Sequence, residues 1–448
     1  MEISPTVRFI NDWHSRPLPV ETDDRLRLLL MDLIHSLVAG RDTVATTTMR
    51  RFVRTALPGQ DATLWPSRER ASLLGAVLAN ATEANAMDFD DGYRLVKGHP
   101  GAVVIPVVLA LSETVPVSLE ELLKAILIGY EVGLRVGRVL HAEYRDYHCS
   151  GSWGAIAAAS AASYLLGLTD EEIDMAMGIA EYHAPVGLMM RCIDSPAMVK
   201  DGIGWGALAG VSATLMARQG FTGMYHLLHP VARLSQQGQE ARAQLPPWDQ
   251  FLLQDVYLKP YACCRWAHPA VAGVLGIRQQ LMEWQRETVK KITVNTFYEA
   301  TTLDHPAPTN TEQAQYSLPW SVASAWRHGF VGVQEVSGSA LHDADTRAVA
   351  AKVATVRAPA FDDVFPSRTQ AQVTVELSDG QLWESGIVEP PGERHTTPVG
   401  WSEVQEKFHH TLGDGATGAI QTISEAVRLT AGDESVHRLW TAMELLAD

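Results

Sequence analysis

Cysteine is scarce in this chain: four residues in 448, at Cys149, Cys192, Cys263 and Cys264. That is too few for a disulfide framework in a protein of this size. Cys263 and Cys264 are adjacent and lack the spacer that zinc ligation needs, and the other two lie too far off in sequence to suggest an iron–sulfur cluster. Cationic charge is also short. Against 52 Asp and Glu stand 36 Lys and Arg, scattered along a chain of formal net charge −16. This argues against a nucleic-acid or anionic-membrane surface, though a few local cations can still bind a carboxylate. The longest uncharged stretch, residues 147–169, is mostly Ala, Ser and Gly. It is too weakly apolar for a membrane span and reads as a helix buried through small residues. The first residues, Met1 to Pro5, carry neither the basic region nor the apolar core of a secretory signal, so a cytoplasmic location is expected. No metalloprotease, nucleophile-elbow or dinucleotide fingerprint appears in a plausible context, and there is no internal repeat. The chemistry expected is acid–base catalysis without metal or cofactor.

What is present describes a globular protein, with 46% apolar and 20% charged residues. The length exceeds the usual limit of one hydrophobic core, so two domains are expected. Apolar residues recur at helical spacing from Asp23 to about Arg233, as in Leu26, Leu29, Leu30, Leu33, Ile34 and Leu37. Thr169 followed by Asp170, Glu171 and Glu172 reads as a helix start. Pro246-Pro247 breaks the helical pattern. Strand-like segments follow at 292–298, 370–377 and 381–388, the last two joined by the turn residues Ser378-Asp379-Gly380. After Pro390-Pro391-Gly392 the pattern returns to helix. The expected fold is mostly α with an inserted α+β domain: residues 1–250 helical, 251–398 a smaller α+β lid, and 399–448 returning to the helical domain.

Four clusters could carry chemistry. Asp88, Asp90 and Asp91, with His99 after a short loop, sit between two helical segments, where catalytic groups often gather. Tyr147-His148-Cys149 leads into the small-residue helix, and a histidine ahead of a helix start feels a positive dipole that favours the neutral imidazole, a potential base. Lys200 precedes Gly202, Gly204 and Gly206, which would let backbone approach a ligand with an ammonium close by. Arg191 lies just upstream, and His183 a little further. Residues 259–268 pack Lys259, Tyr261, Cys263, Cys264, Arg265 and His268 into one short segment.

Taken together, and with Tyr316-Ser317-Leu318-Pro319, these clusters resemble the MmgE/PrpD family, which includes 2-methylcitrate dehydratase, cis-aconitate decarboxylase and iminodisuccinate epimerase. The resemblance covers nearly the whole chain. It implies a large helical domain, a smaller lid, a site between them, a homodimer and a small carboxylate substrate. It also implies that Asp88, His99, His148, Lys200, Lys259 and His268 line the site. The chain departs from the decarboxylase pattern in three ways: Gly92 stands where a threonine is expected, Cys264 where that group has histidine, and Trp320 where it has tyrosine. The loop to His99 is also one residue longer. Lost polar contacts change discrimination strongly.

The reaction expected on this basis is dehydration of a hydroxylated di- or tricarboxylate. His148 or His99 would take the proton next to a carboxylate, and the other imidazole, or a protonated Asp88, would serve the departing hydroxyl. Lys200, Lys259 and Arg191 would hold carboxylates, with Cys264, Tyr261, Trp320, His268 and His183 shaping the pocket. Epimerisation, decarboxylation and a non-catalytic binding role are the alternatives, in that order.

Overall fold

The computed structural model describes residues 3–144, 146–429 and 435–447. Its apolar side chains gather in two cores. One draws on residues 7 to 258 and again on 399 to 446, and the other mainly on residues 261 to 377. The helical core is centred on the helix Ser150–Leu165, which packs against helices Pro100–Ser112, Leu119–Glu143, Asp170–His183 and Ile203–Arg218. Small residues make this crowding feasible: a Cβ at Gly210 would lie 2.4 Å from the carbonyl oxygen of Ala155. The uncharged stretch is therefore a buried central helix. Among the described residues no helix is long and apolar enough to cross a membrane.

The helix start read at Thr169 is a reciprocal cap, in which the Thr169 hydroxyl accepts from the Glu172 amide and the Glu172 carboxylate accepts from the Thr169 amide. The helices Trp401–Leu412 and Thr417–Arg428 return to pack on Val20–Gly40. There Lys407 Nζ donates to Asp32 Oδ1 at 2.6 Å and to the Phe89 carbonyl at 3.0 Å. The C-terminal return thus braces the loop that carries the aspartates.

In the second core, strands Val353–Arg357, Val289–Thr296, Ala371–Leu377 and Leu382–Val388 lie side by side in that order. The first pair is parallel and the other two are antiparallel. Ala371–Leu377 alternates buried and half-buried positions, the mark of a strand with one face on a core. The hairpin at 378–380 forms as expected, with Gly380 at φ 88°. The structure adds elements that the pattern leaves unassigned, among them helices Val44–Ala56, His268–Gln280 and Leu318–His328 and the strand Val353–Arg357. That strand is half-buried to exposed throughout, so it carries no apolar alternation.

Candidate active site

A narrow cleft of about 40 Å³, partly open to solvent, lies between the two cores. Asp88, His99 and Tyr147 reach it from the helical side; Lys259, on the segment joining the cores, and Cys264 and Tyr316 from the second core complete this part of the wall. The helix Leu73–Asn85 ends just before Asp88, whose backbone adopts the left-handed conformation at φ 52°. Lys97 (φ 49°) and Lys200 (φ 41°) do the same, and these three are the described non-glycine residues with positive φ. Each such residue costs about 1–3 kcal/mol, and such strain concentrates at functional sites.

Asp88 is almost fully buried, with Lys259 Nζ 3.0 Å from Oδ2 and Lys200 Nζ 3.8 Å from Oδ1. Lys259 also donates to the Asp88 carbonyl at 3.0 Å. Lys200 donates to the Asn85 carbonyl at 2.5 Å and to Gln315 Oε1 at 2.7 Å. Burial is the largest influence and works to lower the Lys259 pKa, but Asp88 together with Tyr257, Asp90 and Cys264 holds the ammonium above its ordinary range. Although ammonium groups stand close, neither Asp88 oxygen makes a hydrogen bond of good geometry.

His99 faces three carboxylates. Its Nδ1 is 3.0 Å from Asp90 Oδ2, and its Nε2 is 3.6 Å from Asp88 Oδ1 and 3.7 Å from Asp201 Oδ2. Burial is the largest influence on the imidazole pKa and would lower it, but the Asp90 and Asp201 carboxylates together raise it. For Asp90 burial is likewise largest and would raise its pKa, but His99, Lys259 and Lys200 together hold it at about 2. Asp90 also accepts from Asn85 Nδ2 at 3.0 Å. The result is an imidazole paired with a carboxylate on one side, which favours its protonated form, and turned toward the cleft on the other. Asp91, one residue on, is pushed up to about 7 by burial despite accepting from Tyr130 Oη at 2.6 Å and from the Gly101 amide at 2.9 Å. Its role is to fix the start of the helix Pro100–Ser112 beside His99.

Asp88, Asp90 and His99 each offer a ligand atom within 4.8 Å of the others, a spacing that could hold a cation. Lys259 and Lys200 already place positive charge against Asp88, so a metal ion there would meet two ammonium groups.

The structure brings together Asp88, His99, Lys259 and Cys264 in the cleft, with Lys200 directly behind Asp88. Other expected residues lie elsewhere. His148 turns Nδ1 onto the Asp146 carbonyl at 2.7 Å and does not line the cleft, although its neighbour Tyr147 does. His268 is fully buried behind the wall, with Nε2 3.1 Å from the Cys263 carbonyl and the Tyr261 ring 5.1 Å away. Burial and the nearby Arg265 charge push its pKa well below the ordinary value, so it is a neutral core histidine. Tyr261 itself stays with that core. Trp320 is buried, donating Nε1–H to the Glu335 carbonyl at 3.0 Å. His183, the last residue of the helix Asp170–His183, and Arg191, on the short helix Met189–Asp194, are exposed.

The glycines after Lys200 also serve another purpose than the one expected. Gly202 permits the turn at φ 64°, while a Cβ at Gly206 would lie 2.6 Å from the Gly151 Cα. They let the helix Ile203–Arg218 pack closely. Asp201, next to Lys200, accepts from the Ser150 hydroxyl at 3.2 Å and the Tyr316 hydroxyl at 3.4 Å. Arg94, Lys97, Tyr257 and Glu393 also line the cleft and went unread. Arg94 and Lys97 sit on the loop already noted as one residue longer, a usable signal. Glu393 follows the Pro-Pro-Gly break and carries none.

A two-core fold with a buried acid–base cleft at their junction, rich in lysine and carboxylate, defines the class. The MmgE/PrpD N-terminal domain model matches residues 6–237 and the MmgE/PrpD C-terminal domain model residues 261–429. The chain belongs to the MmgE/PrpD family. Among curated relatives, the cis-aconitate decarboxylase-like protein oryM of Aspergillus oryzae is 23% identical over 87% of this chain and 86% of its own length. The human cis-aconitate decarboxylase is 23% identical over 86% of this chain and 82% of its own, and the mouse enzyme 22% over 80% and 75%.

Proposed function

We propose that the protein is a lyase acting on a polycarboxylate, needing no cofactor, in which His99 delivers a proton to the substrate. The observation that carries this is the His99–Asp90 pair at 3.0 Å beside the cleft, with the imidazole pKa raised. An imidazolium is a donor, and general acid steps contribute about 10² to 10⁴ in rate. Lys259 and Lys200, standing close to Asp88, supply positive charge beside the carbon where charge develops.

With His148 turned away, the expected elimination between two imidazoles loses its base. Proton delivery with decarboxylation needs only the donor. The pair of electrons from the breaking C–CO₂ bond forms the new alkene, the old alkene's pair takes the His99 proton, and CO₂ departs. The relatives named as cis-aconitate decarboxylases support this order. Dehydration of a hydroxy acid is the second reading, favoured by Cys264 in the cleft where that group has histidine and by Asp88 facing His99 Nε2. There His99 would protonate the leaving hydroxyl. Epimerisation needs a base on each face of one carbon, and the cleft offers one imidazole among its described lining residues.

The proposal includes a homodimer. Exposed apolar residues near the Lys200 turn, Val199 at 74% and Trp205 at 55%, are the kind of surface a second copy would cover. Sedimentation of the purified protein as a monomer would remove that part.

The deciding experiment is proton NMR in deuterated water with 2-methylcitrate, citrate, cis-aconitate, itaconate and iminodisuccinate. Release of CO₂ with one deuterium in a new alkene supports decarboxylation. An alkene formed from a hydroxy acid supports dehydration, and exchange alone would favour epimerisation. Silence across the panel and across longer tricarboxylates would refute the lyase reading.

A further inference from the structure

Four basic side chains line the cleft: Arg94, Lys97, Lys259 and Arg265. Three of them are already matched. Lys259 stands 3.0 Å from Asp88, and Glu393 takes Arg94 at 2.8 Å and Arg265 at 3.0 Å. Lys97 has no carboxylate at ion-pair distance among the described residues; Glu299 acts on it only from longer range. We propose that Lys97 binds a remote carboxylate of the substrate and thereby selects acids with an extra carboxylate. The inference rests on the polycarboxylate reading above and extends it to a residue and a substrate feature.

Three observations position Lys97 for this role. Its backbone is held left-handed at φ 49°, and the Tyr147 hydroxyl donates to its carbonyl oxygen. Its Nζ lies 4.7 Å from the Tyr147 ring centre and 5.9 Å from that of Phe365, so aromatic faces from both sides of the cleft hold the ammonium without neutralising it. Burial removes part of its water and pulls its pKa down, so an incoming anion meets a partly desolvated cation. His99 follows two residues later on the same wall. A carboxylate seated on Lys97 would hold the adjoining carbons near the proton donor.

The test is calorimetric binding of two acids that cannot turn over, propane-1,2,3-tricarboxylate and glutarate, to the wild type, Lys97→Asn and Lys97→Arg. Asparagine removes the charge while tolerating the left-handed backbone, and melting temperature checks the fold. Lys97→Asn is expected to weaken the tricarboxylate at least tenfold and glutarate less than twofold, with Lys97→Arg restoring the tricarboxylate to within threefold. Equal loss for both acids would assign Lys97 a structural role, and no loss would overturn the inference while leaving the lyase reading intact. If the wild type binds neither acid, the polycarboxylate reading falls and this inference with it.

Discussion

The molecule buries two charged clusters that solve opposite problems. At the junction of the helix Leu119–Glu143 with the segment 247–253, Glu131 pairs with Arg135 and accepts from the amides of Leu252 at 3.1 Å and Leu253 at 2.8 Å. Arg135 in turn donates to the carbonyls of Pro247 and Gln250, each at 3.1 Å, leaving only its Nε–H unpartnered. In the cleft, by contrast, both Asp88 oxygens, Asp90 Oδ2 and His99 Nδ1 face opposite charge without a hydrogen bond of good geometry. A buried cluster with its bonds made holds a fold together; one with charges matched but bonds unmade, on strained backbone, is arranged for something else to enter.

The sharpest way to break this contrast is His99→Gln. Loss of the donor should cut turnover, measured per folded molecule, by about 10² to 10⁴. Retention of near-normal kcat would end the assignment.

Arg135→Leu should do the reverse. Breaking a buried pair by removing one partner costs about 3–5 kcal/mol, visible in urea unfolding, while activity per folded molecule stays within a few-fold. A large drop in kcat with unchanged stability would make Glu131–Arg135 part of the functional machinery.

Asp90→Asn should act through His99. The raised His99 pKa keeps the donor protonated, so activity is present at low pH and falls as pH rises through that value. Without the Asp90 charge the fall should move to lower pH, with kcat at pH 7.5 down about tenfold for each unit of displacement. The same sign governs stability: the His99 contribution is complete below the unfolded imidazole pKa and is lost as pH rises through the raised folded value. Asp90, held at about 2, contributes above the unfolded carboxylate pKa and is lost only as pH falls through about 2. An unmoved pH profile in Asp90→Asn would show that the pair does not set the donor.

The smallest effect is expected from His148→Ala. Its imidazole is engaged by the Asp146 carbonyl outside the cleft, so turnover should change less than tenfold. A loss of 10³ would restore the two-imidazole scheme and move dehydration ahead of decarboxylation.

Much of the fold was legible because it depends on local pattern. The apolar spacing of Leu26 to Leu37, the acids after Thr169 and the alternation through Ala371–Leu377 each respond to a neighbouring helix or sheet face. The elements that escaped are those whose local pattern is weak, such as Val353–Arg357, held by parallel pairing to Val289–Thr296. The site was legible in part for a related reason. Asp88, His99, Lys200, Lys259 and Cys264 lie on short segments dense in chemistry, and such density survives without coordinates. His268 and Arg191 share those segments, yet a rotation of one residue around a helix turn separates the cleft from core or solvent. No spacing in one dimension tells those directions apart.

By itself, then, the sequence determined many of the helical and strand segments and the short list of side chains able to move protons or bind carboxylates. These are set by composition and periodicity within ten to twenty residues. The tertiary structure alone decided which of them share a cavity. It set Asp90 against His99 and turned His148 away. It brought Glu393, some 300 positions along the chain, onto Arg94 and left Lys97 with no carboxylate at ion-pair distance among the described residues. Those outcomes depend on Coulomb interactions and burial over a few ångströms between residues far apart in the chain, a distance that only packing creates.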